Sequence, residues 1–156
     1  LFLVIVCAAW CWTCERNMMA ALPELSEDFL MSTPDSLHIG EQTLVLRTYL
    51  WRDFMPIIPP GGNSLYGVIK IETVDSSAIT FDISSDGLYI IHNHDVWSIH
   101  YDDDPPADQQ LWRHLKVFRS GPKIEPRVYV DVIVRMNIEG QQHYLRVAKQ
   151  YINATY

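Results

Sequence analysis

Past residue 14 the chain has no cysteine: Cys7, Cys11 and Cys14 all sit in the opening stretch LFLVIVCAAWCWTC. The 142 residues that follow (156 less 14) therefore offer no disulfide and no thiol nucleophile. A domain built from them must stand on its hydrophobic core. No Gly-x-Ser-x-Gly elbow, His-Glu-x-x-His helix, Walker loop or dinucleotide glycine fingerprint occurs. Basic residues are also few, 12 against 19 acidic, giving a net charge of -7. That acidity argues against nucleic acid as a partner. Nor does any apolar run reach the twenty or so residues that a bilayer-spanning helix needs.

What the chain does have, at its start, is an apolar run of export-signal length, polar from Glu15-Arg16-Asn17 onward. It begins at Leu1 without a Met or a basic flank, so the expectation is that the chain starts further upstream. A cluster of Cys7, Cys11 and Cys14 around a metal is disfavoured, because no His or carboxylate in the run supplies a fourth ligand. Cys14 stands where apolar gives way to polar, which resembles the start of a bacterial lipoprotein. It is the expected lipidation site and Cys11 the competing one, although Trp12 and Trp10 stand where small residues are usual.

Residues 15–41 read as a leader with little strand pattern, interrupted by Pro23 and Pro34, with a short helix around Leu25 to Met31 started by Ser26. Its expected role is to space the domain from a membrane. From Gln42 the pattern changes to period two, and residues 42–153 read as one domain of ordinary size. Leu44, Leu46 and Leu50 alternate with Arg47, Tyr49 and Trp51; a second strand runs from Leu65 to Val74 after the turn at Pro59 to Asn63. Leu88 to Ile91 and Val96 to Tyr101 flank His92-Asn93-His94-Asp95, a hairpin turn rich in residues that tolerate positive φ. Val128 to Asn137, the turn Glu139-Gly140, and Tyr144 to Lys149 close the chain. Leu111, Leu115 and Phe118 recur at helical spacing, which predicts an inserted helix near 107–119, capped by Asp104 and ended by Gly121-Pro122. The expected fold is mainly β: an antiparallel, immunoglobulin-like β-sandwich of six or seven strands with that one helix.

The segment Thr48 to Pro56 (TYLWRDFMP), the hairpin end Asp95-Val96-Trp97, and Gly121-Pro122-Lys123 with Tyr129 to Val134 resemble a set of small uncharacterised bacterial envelope proteins with a lipoprotein-like start. The likeness covers about residues 40 to 153. It implies a compact β-rich domain exported from a bacterial cell to the periplasm or outer surface. It carries no known activity, so no catalytic residues transfer with it.

Three functional readings follow. The first is a non-enzymatic, lipid-anchored envelope protein with an interaction or structural role, needing no cofactor. Its partners would be the membrane, through the lipid, and a protein or glycan. The second is a carbohydrate-binding module. Strand alternation turns Arg47, Tyr49, Trp51, Tyr129, Asp131, Arg135, Tyr144 and Arg146 outward, and aromatic rings can stack on sugars while charged neighbours fix hydroxyls. Cross-strand aromatic and ion pairs also stabilise a sheet without any ligand, by about 0.2 to 1 kcal/mol each. The third is a metal-dependent hydrolase, from His92, His94 and His100 near Asp95 and Asp102 to Asp104. Turn chemistry accounts for those residues without a metal, and Asp-Asp-Asp-Pro-Pro lacks the spacing and central Gly of a calcium loop. Asp53, Asp82, Asp86 and Asp131 could pair in space, but sequence does not bring them together. Asn153-Ala154-Thr155 fits a glycosylation acceptor, a chance match in a bacterial protein. Trp97 and Trp112 are expected to pack in the core or under the helix.

Overall fold

The computed structural model describes residues 21–55, 60–102 and 110–156. The apolar start with its three cysteines, Asp103-Asp104-Pro105-Pro106, and residues 107–109 of the expected helix lie outside the described residues. Those described form α1 (Glu27–Met31), β1 (Ser36–Ile39), β2 (Gln42–Asp53), β3 (Leu65–Thr73), β4 (Ile83–His92), β5 (Asp95–His100), β6 (Arg113–Gly121), β7 (Tyr129–Ile138) and β8 (Gln141–Thr155). No helix among them is long and apolar enough to cross a membrane.

Local sequence accounts for the turns. Ser26 caps α1, its hydroxyl accepting the Phe29 N–H at 3.3 Å, and Glu27 and Asp28 place negative charge on the first turn. The β4–β5 hairpin turns on Asn93 and His94 at φ 49° and 71°, and the β7–β8 hairpin on Glu139 and Gly140 at φ 49° and 83°. Paired positive φ angles mark the type I′ turn, one of the two whose twist matches that of the strands a two-residue loop joins.

The strands make one curled sheet in the order β5-β4-β7-β8-β2-β3-β6, with β1 added beside β2. Here the structure departs from the expected sandwich: the strands form one continuous mixed sheet, not two antiparallel layers. The reason lies in β8. Its first part pairs antiparallel with β7, while its last residues lie parallel to β2, Leu50 beside Ile152 and Asp53 beside Thr155. An extra residue in β8 bends it near this changeover, since Val130 pairs with Gln150 but Val132 with Val147. The Asn153 amide donates to the Leu50 carbonyl at 2.9 Å, so this residue helps to join the parallel pair.

Curling wraps the inner face around a single core. Leu44, Leu46, Leu50, Ile69 and Ile71 from one side of the curl meet Leu88, Ile90, Val132, Val134 and Met136 from the other, all buried. Each such side chain contributes about 1.5 to 3 kcal/mol on burial. Trp97 packs at the margin of this core, whereas Trp112 stacks with the Arg113 guanidinium at 4.6 Å.

The expected helix near 107–119 is corrected: residues 113–121 are β6, antiparallel to β3. Leu115 pairs with Lys70 and Phe118 with Gly67, an odd separation that sends the two side chains to opposite faces. Their helical spacing is therefore coincidental. A bulge between the Leu65–Gly121 and Gly67–Phe118 pairs adds to the resemblance, letting Phe118 and Gly121 both be buried three residues apart. The bare edge of β3 needs hydrogen-bond partners, and that demand overrides local periodicity.

Part of the segment expected to be a leader is folded. The helix anticipated at Leu25 to Met31 is α1, and β1 follows it. Leu22 and Leu30 are buried with Tyr89, Ile91 and Ile133 in a second cluster on the outer face of β4 and β7.

Candidate functional site

The outward side chains of β2 and β3 form an aromatic row. Tyr49 lies 5.5 Å from Trp51 at an inclination of 38°, and Trp51 lies 5.6 Å from Tyr66 at 62°. Register explains the row, since Trp51 is paired directly with Tyr66. Tyr49 keeps 54% of its surface exposed, and residues 113–121, as a strand beyond β3, leave this face uncovered. Beside the row Arg47 meets Glu72 at 3.1 Å, and Arg113 approaches the same carboxylate at 4.0 Å.

The other expected face residues lie across β7 and β8. Tyr129 pairs with Tyr151, ring centroids 5.3 Å apart, and both rings are exposed. Asp131 is engaged twice, accepting from Arg146 Nη2 at 2.7 Å and from the Lys149 N–H at 2.8 Å. Arg146 also holds the N-terminal segment, donating from Nη1 to the Met31 carbonyl at 2.9 Å. Tyr144 packs edge-on against Phe29 at 5.3 Å. Arg135 is tied to Asp86 at 3.1 Å and to Gln142 at 2.9 Å. The eight residues thus fall into an open row (Arg47, Tyr49, Trp51), an exposed ring (Tyr129), and a group engaged with the N-terminal segment or with neighbouring strands (Asp131, Arg135, Tyr144, Arg146).

The histidines of the hairpin diverge. His92 Nδ1 is 3.1 Å from the Tyr129 carbonyl, and His94 Nδ1 is 3.1 Å from a Glu27 oxygen. His100 Nδ1 lies 3.4 Å from the Asp86 carbonyl. Among the described residues no group of three or more His, Cys, Asp or Glu is placed to hold a metal ion. The carboxylates have separate partners: Asp53 accepts from the Met55 N–H at 3.0 Å, Asp86 meets Arg135, and Asp131 meets Arg146.

Three residues that matter to this surface and its frame are not singled out by sequence alone. Tyr66 and Tyr151 complete the two aromatic contacts, and only strand register reveals them. Arg52 is buried, and its parity gives it away in retrospect, because it continues the inward series of Leu46 and Leu50. Its guanidinium donates to the carbonyls of Asn63 at 2.9 Å, Ile124 at 3.0 Å and Gly61, and lies 4.8 Å over Phe54.

Burial shifts a few groups. It pushes the Tyr89 hydroxyl up to about 12, while that hydroxyl donates to the Pro23 carbonyl at 2.8 Å. Tyr101, also buried, is raised further. His114 is lowered to about 4, first by burial and then by the positive charge of Lys116.

Compared with protein families, curated proteins and solved structures, the chain matches none of them.

Proposed function

We propose that the protein is a non-enzymatic domain, exported to the bacterial envelope and held there by a lipid on Cys14, that works by binding a partner. The observation that carries the reading is the outer face. Its charged side chains are largely paired with one another, while Tyr49, Tyr129 and Tyr151 stay open to solvent. Rings left exposed beside satisfied charges suit recognition, which uses aromatic area at low entropic cost. The anchor rests on sequence alone. Feeding cells a fatty-acid analogue tests it: the native chain should be labelled and Cys14→Ser should not, and equal labelling would remove Cys14 as the site.

A glycan is the partner the exposed rings favour over a protein. Tyr129, the most exposed of the three, stands among Asn93, Asp131 and Lys149, an apolar face flanked by hydrogen-bonding groups as a sugar ring requires. An array of glycans probed with the native protein tests this reading, and no signal from any of them would remove it.

A further inference from the structure

A groove of about 320 Å³ lies where α1, the tip of the β4–β5 hairpin and the β7–β8 pair meet. Tyr129 forms one wall with 62% of its surface exposed, steadied by Tyr151 behind it. Glu27 comes from α1, Asn93 and His94 from the hairpin tip, and Asp131 and Lys149 from the strands. At its edge is the β8 bulge. Lys149 takes φ 53° there, and its N–H is captured by Asp131 at 2.8 Å. A bulge re-aims a side chain out of the regular ladder, and a non-glycine residue at positive φ carries a conformational cost.

We infer that this groove is a sugar-binding site and that it takes the end of a glycan chain; the inference rests on the glycan reading above. Charge argues for a neutral ligand. The charges lining it are mixed, with Asp131 offset by Arg146, Glu27 3.1 Å from His94 and Lys149 adding an ammonium, so no patch of one sign selects an anion or a cation. What the groove offers is an open ring together with donors (the Asn93 amide and Lys149 ammonium) and acceptors (the Glu27 and Asp131 carboxylates). A pyranose presents the complement, an apolar C–H face with hydroxyls around its rim. The volume sits at the low end for small-molecule sites, and α1 bounds one side, so a chain end fits better than a running polymer. The Tyr49, Trp51 and Tyr66 rings pack against one another and take no part in lining this groove.

The test is titration of the best array glycan into the native protein and three variants, with thermal melting of each. Tyr129→Ala should weaken binding about tenfold or more, the scale of one lost aromatic contact. Lys149→Gly should do the same while leaving the melting temperature unchanged or higher, because glycine accepts this φ freely. Trp51→Ala should change affinity by less than about twofold. Loss of binding in Trp51→Ala with full binding in the Tyr129 and Lys149 variants would overturn the groove and leave the glycan reading standing. Absence of binding by the native protein would overturn both.

Discussion

The amide of Asp102 donates to the carbonyl of Val117 at 2.9 Å, joining the chain just past β5 to the middle of β6. These strands are the two ends of the sheet order, so this bond and the Asp102–Arg119 ion pair at 2.9 Å draw opposite edges together. Exposed sheet edges invite pairing with other chains, and bringing two of them together protects both.

Hydrogen exchange reads this seam directly. The Asp102 amide should exchange much more slowly than an open loop amide. Arg119→Ala should leave that protection largely in place and cost under about 1 kcal/mol, as expected of a partly exposed ion pair. Rapid exchange at Asp102 in the native protein would mean that the edges do not hold together in solution.

Arg52→Met should destabilise the fold by about 3 kcal/mol, because it strands three carbonyls that the guanidinium now satisfies. Arg52→Lys should recover only part of this, since a single ammonium cannot span Gly61, Asn63 and Ile124. Urea unfolding measures both, and a loss below about 0.5 kcal/mol for Arg52→Met would refute the role assigned here.

At Gly67 a methyl group would come within 2.3 Å of the Phe118 ring and 2.8 Å of Leu50. Gly67→Ala should therefore cost about 1 to 3 kcal/mol by overpacking. Phe118→Leu in the same chain should relieve part of that cost, which a double-mutant cycle would show as a favourable coupling.

His114 links stability to pH. Its folded pKa of about 4 lies below the ordinary 6.5, so the unfolded chain binds more protons between those values. Stability is fully present above pH 6.5 and declines as pH falls towards 4, by about 2 kcal/mol between pH 7 and pH 5. His114→Gln should flatten that stretch of the unfolding profile, and an unchanged slope would place the titration elsewhere.

Much of the fold was legible because alternation is a local signal. Leu44, Leu46 and Leu50, or Val130, Val132 and Val134, announce their strands and their inward faces without help from the rest of the chain. The β6 error came from the same reasoning: Leu115 and Phe118 mimic a helix, and only their partners Lys70 and Gly67 show them on opposite faces. Neither the fate of the segment before Gln42 nor the curl of the sheet could be read locally. Leu22 and Leu30 are apolar residues in a polar stretch, and their burial depends on an outer patch assembled from β4 and β7. The site was half legible. Parity placed Tyr49, Trp51 and Tyr129 outward, but their neighbours Tyr66 and Tyr151 follow from register, and the groove follows from a bulge and two distant segments.

The parallel contact between β2 and β8 has a consequence for the order of events in making this protein. Leu50 meets Ile152, a partner synthesised roughly a hundred residues later, and contacts of such separation form slowly. Until that late segment is available, the two parts of the sheet lack their junction and the shared core stays open.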